Sequence, residues 1–235
     1  MRPYRLTPIH HWHECHGAQM EEIGGWKRVI SYGDIQSEIS CLKAAVGISD
    51  VTPLTKIEVQ GEECGKILAN LISLPKPGRC TSTVLSQASK APYWLARLAI
   101  DRFFVIGGSE TGTDVSNILK AATGGGKCVH VMDVTSTYAA VHLVGPMSAQ
   151  VLKKLGPVCP EEMSPSDCCQ SPLARIWAFV TRRDVGSVPA WLVLISRDYG
   201  EYFWECVLSA GNEFGIRPFG IRAEEVLMEN EAANA

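Results

Sequence analysis

The sequence has no long hydrophobic run and no surplus of charge of either sign. Its longest apolar stretches, such as AWLVLI at 190–195, have the length of a strand, whereas a membrane-spanning helix needs about 20 residues. The 22 basic and 25 acidic residues give a net charge of −3, which disfavours nucleic acid or an acidic membrane as a partner. The start, MRPYRLTPIHHWH, lacks the apolar core of a secretory signal, so we expect a cytoplasmic protein.

Cysteine is frequent, but no two cysteines have the C-x-x-C spacing. The nine cysteines are scattered along the chain, and only Cys168 and Cys169 are adjacent. An odd number of scattered cysteines without an export signal is typical of free thiols in a reducing compartment. We therefore expect free thiols.

Histidine is concentrated in one short segment, HHWHECH at 10–16. If this segment is helical, His13 and His16 share a face, whereas His11 and His13 do not. A zinc site needs further ligands to close a tetrahedron, and no second cluster of Cys and His follows later in the chain. We therefore predict no functional metal site, although the segment is compatible with incidental affinity for nickel or zinc.

Hydrophobic periodicity divides the chain into strands and helices. TKIEVQG at 55–61 alternates like a half-buried strand, and GGG at 124–126 indicates a turn. The pattern predicts helices at 35–46, 62–72, 111–122 and 202–215, a hairpin at 94–108 that turns at 100–101, and a second strand pair at 174–184 and 190–200.

Two segments repeat the same order of elements. ISDVTPLTKIEVQGEECGKILANL at 48–71 and VMDVTSTYAAVHLVGPMSAQVLKKL at 131–155 share Asp-Val-Thr, an alternating strand, a glycine and an apolar-periodic helix. A repeated β-α-β-β-α order indicates an α+β fold with two related halves, at about 48–125 and 131–225, within one domain of residues 1–235. Each half should form a helix-covered, mainly antiparallel sheet.

Longer motifs carry a resemblance to a known family. They are T-P-I-H-x-W-H-x-x-x-G-A-x-M at 7–20, AAVGISDVTPLTKIEVQG at 44–61, RLAIDRFFVIGG at 97–108, YAAVHLVGPMSAQVLKKL at 138–155 and RDYGEYFWECVLSAGNEFGIRPFGIRA at 197–223. Together they resemble the folate-binding domain of aminomethyltransferases, the T-protein of glycine cleavage, and more closely the related region of sarcosine oxidase and dimethylglycine dehydrogenase. His13 falls in the opening signature of this family, where its role is structural.

The resemblance implies a tetrahydrofolate site that passes a one-carbon unit from an amine to the folate. Such a site needs one carboxylate near the reacting nitrogens and a buried carboxylate facing the N–H donors of the pterin. It also needs apolar walls around the ring. Carried over to this sequence, the cofactor-binding positions are Leu54, Trp94, Phe104, Gly108, Trp191 and Leu192.

Three charged positions of the family are apolar in this chain. The catalytic aspartate falls at Pro92, the pterin-binding glutamate at Leu192, and an arginine at Met228. The nearest remaining acid, Asp101, lies in IDRF, where aspartate is favoured in a hairpin turn. We therefore assign no catalytic residue and expect tetrahydrofolate binding to be weak or lost.

The chain ends at Ala235, where the third domain of the family, a C-terminal β-barrel, would begin. We therefore expect it to lack this barrel, to leave the surface at 190–195 and 221–229 partly uncovered, and to form a homo- or hetero-oligomer. Three functions follow: a catalytically degenerate folate-binding subunit beside an oxidase or methyltransferase, an active aminomethyltransferase completed by a partner chain, or a ligand-free structural subunit.

Overall fold

A computed structural model describes residues 4–84, 92–108, 112–124 and 128–233. The strands are β1 Gln19–Ile23, β2 Trp26–Ser31, β3 Gly47–Asp50, β4 Thr55–Gln60, β5 Arg79–Thr83, β6 Tyr93–Arg97, β7 Arg102–Gly107, β8 His130–Asp133, β9 Tyr138–Val144, β10 Cys168–Leu173, β11 Ile176–Arg182, β12 Ala190–Ser196 and β13 Arg217–Pro218. The helices are α1 His10–Cys15, α2 Ile35–Ala44, α3 Cys64–Ala69, α4 Gly112–Thr123, α5 Ser148–Leu155, α6 Gly200–Gly211 and α7 Ile221–Ala233.

Most of the predicted elements are present. The helix predicted at 35–46 is α2, which begins after Asp34 because this side chain accepts the N–H groups of Gln36 and Ser37 as an N-cap. The predicted hairpin at 94–108 is β6 and β7, and the strand at 55–61 is β4. The turn predicted at 124–126 lies mostly outside the described residues.

The prediction missed the hairpin β1–β2 and the strand β3. Strand β1 has the sequence QMEEI, and its side chains are exposed or half-buried, so no apolar alternation marks it. Strand β3 has the opposite character, because all four of its residues are buried. A short strand that is buried on both faces has no alternation to detect.

The chain divides into two compact units, each built on one sheet. The first unit comprises Met1–Thr52, Tyr138–Pro165 and Gln170–Ala235, and the second comprises Pro53–Thr137 and Ser166–Cys169. The sheet of the first unit has the order β10-β11-β12-β9-β3-β13, and that of the second has the order β5-β6-β7-β4-β8. Strands β13 and β3 pair in parallel. Eight further pairs are antiparallel, namely β1–β2, β11–β12, β12–β9, β3–β9, β4–β7, β4–β8, β5–β6 and β6–β7. This mainly antiparallel pairing confirms the predicted α+β class.

The core of the second unit lies between its sheet and two helices. Ile57, Leu95, Phe103 and Val105 point from the sheet towards Leu68 of α3 and the apolar side of α4. In the first unit, α2 and α7 pack together around Phe219. No described helix has both the length and the apolar character to cross a membrane.

The first Asp-Val-Thr motif binds strand β9 of the first unit. The Oδ1 atom of Asp50 accepts the N–H of Thr52 at 3.0 Å. The N–H of Val51 donates to the carbonyl of Ala140 at 2.9 Å, and the N–H of Ala140 donates back to Oγ1 of Thr52 at 3.1 Å. The motif thereby satisfies both backbone groups of one residue on the neighbouring strand.

The second Asp-Val-Thr motif makes the same three hydrogen bonds in the second unit. Oδ1 of Asp133 accepts the N–H of Thr135 at 2.9 Å. The N–H of Val134 donates to the carbonyl of Lys56 at 2.9 Å, and the N–H of Lys56 donates to Oγ1 of Thr135 at 3.0 Å. The equivalence supports the predicted repeat.

The chain changes sheet directly after each motif. Strand β3 belongs to the six-stranded sheet and the following strand β4 to the five-stranded sheet. Strand β8 belongs to the five-stranded sheet and the following strand β9 to the six-stranded sheet. Each sequence half therefore contributes strands to both sheets, and the compact units do not coincide with the halves. The boundaries at 48–125 and 131–225 stay a prediction.

Candidate functional site

Trp94 and Phe104, two of the predicted pocket residues, lie on the same face of the five-stranded sheet. Trp94 on β6 is paired with Ile106 on β7, and Phe104 precedes Ile106 by two residues. Because paired residues share a face and side chains alternate along a strand, all three side chains point to one side. The opposite side carries the core beneath α3 and α4.

The same face carries a buried lysine that the sequence pattern did not reveal. Lys56 is paired with Ile106 across β4 and β7, and its side chain is completely buried. Its Nζ donates to the carbonyl of Leu54 at 2.8 Å and to that of Thr135 at 3.2 Å. The alternation in TKIEVQG predicted a half-buried strand, but every residue of β4 except Gln60 is buried.

Glu58 adds a carboxylate to this face. It is paired with Phe104 and only 6% exposed. Its Oε1 accepts a hydrogen bond from Nε of Arg102 at 2.5 Å. Because buried charges need partners, this ion pair allows a carboxylate to lie beside the aromatic side chains.

Leu54 and Gly108 lie at one end of the paired strands β4 and β7. Thr55 is paired with Gly107, so the residues just outside this pair are neighbours. The hydroxyl of Thr55 donates to the carbonyl of Gly108 at 2.9 Å, while Leu54 is half-buried. The second unit therefore holds four of the six predicted positions: two on one face of the sheet and two at the end of its strands β4 and β7.

Trp191 and Leu192, the two predicted positions in the first unit, point to opposite faces of β12. Nε1 of Trp191 donates to the hydroxyl of Ser148, the first residue of α5, at 3.1 Å. Leu192 follows it in the strand and therefore faces the other way, beside His142 of β9 and Thr181 of β11, with which it is paired. Both side chains are 1% exposed.

A half-buried charged cluster surrounds His142, the buried residue opposite Leu192. Its Nδ1 lies 3.2 Å from Oε2 of Glu224, and its Nε2 lies 3.4 Å from the carbonyl of Arg183. Burial alone would raise the pKa of Glu224, but His142, Arg183 and Arg28 outweigh it and lower that pKa. Burial lowers the pKa of Arg183, and Glu224 opposes this shift.

Glu224 is therefore a candidate functional residue that sequence reasoning missed. A carboxylate lies one hydrogen bond from the residue that faces Leu192, although Leu192 itself is apolar. The segment AEEV has the composition of an exposed helix surface. Only the packing of α7 distinguishes the half-buried Glu224 from the exposed Glu225, whose carboxylate pairs with Arg222 at the surface.

The other positions singled out in the sequence lie at the surface or in a turn. Pro92 is exposed directly before β6, and Met228 is 42% exposed on α7. Asp101 lies in the β6–β7 turn, where its carbonyl accepts the N–H of Gly61 at 2.9 Å. The assignment of Asp101 to a hairpin turn is confirmed.

The predicted exposed surface at 190–195 is wrong. All six residues of this segment are buried, because β12 lies inside its sheet between β11 and β9. Segment 221–229, by contrast, is partly uncovered: Ala223 and Leu227 are buried, whereas Arg222, Glu225, Met228 and Glu229 are exposed. The exposed aromatic side chains of the first unit lie elsewhere.

The histidine segment is a short helix in which His13 has a structural environment. Both of its ring nitrogens are engaged, Nε2 with Asp50 at 3.1 Å and Nδ1 with the hydroxyl of Tyr32 at 2.7 Å. His16 stacks on Trp12, with ring centroids 3.7 Å apart. Across the described ranges, no three His, Cys, Asp or Glu side chains are grouped to hold a metal ion.

The nine cysteines are free thiols, as the sequence predicted.

Comparison with known proteins gives one consistent result. The profile of the GCVT N-terminal domain matches residues 9–232. The alpha subunit of sarcosine oxidase from Corynebacterium sp. (strain P-1) is 29% identical over 96% of this chain, and the aminomethyltransferase of Desulforamulus reducens is 24% identical over 97% of it. The chain spans 26% of the first relative and 64% of the second.

Solved structures share the fold. The glycine cleavage system aminomethyltransferase T from Bartonella henselae superposes with a TM-score of 0.83 at 20% identity, covering 95% of this chain and 62% of that one. A chain of the heterotetrameric sarcosine oxidase from Corynebacterium sp. U-96 superposes with a TM-score of 0.66 at 20% identity. That match covers 89% of this chain and 96% of the other.

Proposed function

Because the chain belongs to the GCVT N-terminal domain family, we propose that it is a folate-binding-type module of one-carbon and amine metabolism whose own chemistry is weak or lost. In this proposal it binds tetrahydrofolate feebly and works as a cytoplasmic subunit beside an oxidase or a methyltransferase. The observation that carries the proposal is Leu192, a hydrocarbon side chain that is 1% exposed and that the sequence resemblance aligns with a glutamate of the family.

The loss of the carboxylate at Leu192 has a calculable effect on affinity. Each pterin N–H donor that is buried without a partner costs about 1–3 kcal/mol, so losing a two-point contact weakens binding by roughly a hundredfold or more. Pro92 removes the acid–base group as well, and such a group is typically worth about 10²–10⁴ in rate. The chain alone is therefore expected to show no aminomethyl transfer.

The relatives support a subunit role. One of them is named as the alpha subunit of sarcosine oxidase, and the chain spans only 26% of it. A chain of a heterotetrameric sarcosine oxidase matches along 96% of its own length. By analogy, the module works inside an assembly rather than by itself.

A second candidate function is favoured by Glu224. Its half-buried carboxylate, one hydrogen bond from the cross-strand neighbour of Leu192, would replace the lost glutamate, and a partner chain would supply the acid missing at Pro92. The protein would then be an active aminomethyltransferase within a complex. A third candidate, a ligand-free structural subunit, is favoured by the complete burial of Trp191 and Leu192 within the protein.

Calorimetric titration with tetrahydrofolate, combined with an assay for methylenetetrahydrofolate formation from an aminomethyl donor, separates the three functions. The main proposal predicts feeble binding without turnover, and a gain in affinity for the double variant Pro92→Asp, Leu192→Glu. Leu194→Glu is the matched control, because Leu194 is equally buried on the same strand face. Low-micromolar binding with turnover would favour the active enzyme. Absence of any gain in a double variant with wild-type circular dichroism would favour the ligand-free subunit.

A further inference from the structure

An exposed aromatic patch lies in the first unit, where the β10–β11 hairpin meets the start of α6. We define the aromatic patch as Arg175, Trp177, Tyr199 and Tyr202. The three rings are 63%, 51% and 49% exposed, respectively. They line a surface cavity of about 390 Å³, and a second cavity of about 390 Å³ adjoins it at Arg175 and Tyr202 and continues along α6. Clustered exposed apolar surface of this kind marks an interaction site.

The hairpin presents Arg175 through a strained turn. Ala174 and Arg175 form the two-residue connection between β10 and β11, with φ angles of +47° and +67°. Such turns normally use Asn-Gly, because the left-handed region is sterically unfavourable for residues that carry a Cβ atom. The hydroxyl of Tyr202 donates to the carbonyl of Ala174 at 3.4 Å, which joins the turn to α6. Strain of this kind is typically retained where a side chain has a function.

Charged side chains of both signs lie in and beside the aromatic patch. Within the described part of the chain, no carboxylate lies within ion-pair distance of Arg175, which is exposed. Glu205 is also exposed, and it follows Tyr202 by three residues on α6, so the two side chains are neighbours on the helix surface. The patch therefore has a cation, Arg175, on its hairpin side and an anion, Glu205, beside it on α6.

We propose that the aromatic patch is a two-fold interface between two copies of this chain. A two-fold axis through the patch would place the hairpin of one copy against α6 of the other, so that Arg175 pairs with Glu205 twice and the three rings are buried. Two-fold dimers are the commonest homo-oligomers, and their contacts must be self-complementary. A second copy fits better than an unrelated protein because the patch and the adjacent Glu205 together supply both charges. Its Trp, Tyr and Arg side chains are also the types that dominate binding energy at interfaces.

Sedimentation velocity of the full chain from low to high micromolar concentration tests the interface. We expect a dimer whose dissociation constant rises by roughly thirtyfold or more in Trp177→Ala, since hot-spot truncations cost about 2 kcal/mol or more. Trp177 is exposed, so this variant should fold normally. Arg175→Glu and Glu205→Arg should each weaken the dimer, and the double variant should restore it, because the charges are exchanged within the same contact.

The control is the charge exchange Arg222→Glu, Glu225→Arg, which reverses a surface ion pair on α7 and should leave the dimer unchanged. A wild-type chain that stays monomeric at the highest concentration would overturn the inference, as would a dimer that Trp177→Ala leaves intact. Failure of the double variant to restore association would also overturn it. The inference goes beyond the proposed function, because association of two copies requires neither folate nor another protein.

Discussion

Nε2 of His13 lies 3.1 Å from Oδ2 of Asp50, and both side chains are buried. The other oxygen of the carboxylate accepts the N–H of Thr52, and the other ring nitrogen of His13 bonds to the hydroxyl of Tyr32. The ring of His13 also meets that of Trp204 edge to face, with centroids 5.1 Å apart. The histidine segment is thereby joined to the first Asp-Val-Thr motif.

The His13–Asp50 pair should be important for stability. Asp50→Asn is expected to lower the free energy of unfolding by about 1.5–3 kcal/mol, because it removes the buried carboxylate that accepts hydrogen bonds from His13 and Thr52. Urea unfolding at neutral pH measures the change. Glu14→Gln is the matched control, because it removes an exposed pair with His10 that contributes well under 1 kcal/mol. Equal midpoints for both variants would contradict the assignment.

The same pair predicts a loss of stability in acid. Burial alone would raise the pKa of Asp50, but the hydrogen bond and charge of His13, with bonds from Thr52 and Thr7, lower it below its usual value of 3.8. A carboxylate with a lowered pKa stabilises the fold above its unfolded pKa and loses this effect as the pH falls through the folded value. The stability difference between wild type and Asp50→Asn should therefore shrink below about pH 4. Unfolding curves measured at successive pH values would contradict this if the difference stayed constant.

The environment of His13 also predicts that no zinc is held at the histidine segment. A ligating histidine needs a free ring nitrogen, and both nitrogens of His13 already have partners. Nδ1 of His16 lies 2.7 Å from the carbonyl of Trp12. Untagged protein dialysed against a weak chelator should contain no stoichiometric metal by elemental analysis. One zinc per chain that disappears in His13→Ala, His16→Ala would refute this.

Two glycines at matched positions of the repeat should tolerate no side chain. Gly61 and Gly145 follow β4 and β9 with φ angles of +135° and +134°, and a Cβ atom would lie 1.8 Å from the carbonyl oxygen of Cys128 or 2.4 Å from that of Ala45. Alanine at either position should lower the free energy of unfolding by more than about 2 kcal/mol. The positive φ is strained for alanine, and the neighbouring backbone must also move to make room for the Cβ atom. Gly17→Ala is the control: φ is +73° with open space around it, so it should cost only about 1 kcal/mol. Thermal unfolding ranks the stabilities of the three variants. A Gly61→Ala or Gly145→Ala variant as stable as Gly17→Ala would contradict the prediction.

The predictability of the fold follows the range of the interactions. Helix α2 and the β6–β7 hairpin were predictable, because apolar spacing and turn residues are local signals. The exchange of strands between the sheets was not predictable, because it depends on hydrogen bonds between residues that are far apart in the sequence. The motif at 50–52 bonds to Ala140, and neither segment alone contains a signal for this contact. Lys56 and Glu58 were assigned by their polarity to a half-buried strand, but β4 is buried on both faces. Glu224 was missed for the same reason: polarity predicts exposure, and only tertiary packing reverses it.

The two Asp-Val-Thr motifs give the last prediction, that equivalent substitutions have equal effects. Thr52→Val and Thr135→Val each remove the hydroxyl oxygen that accepts a backbone N–H, from Ala140 in the first unit and from Lys56 in the second. Both threonines are buried, so each change should leave an unsatisfied donor and cost about 1–3 kcal/mol.

Thr137→Val is the matched control for this pair, because Thr137 is exposed and its substitution should fall within about 0.5 kcal/mol of wild type. Hydrogen exchange locates the effect. Thr52→Val should speed exchange at the N–H of Ala140, and Thr135→Val at that of Lys56, since each amide loses its acceptor. A large loss of stability in one variant with none in the other would show that the motifs are alike in sequence and geometry but not in energy, and would count against a repeat in which each half stabilises a strand of the other.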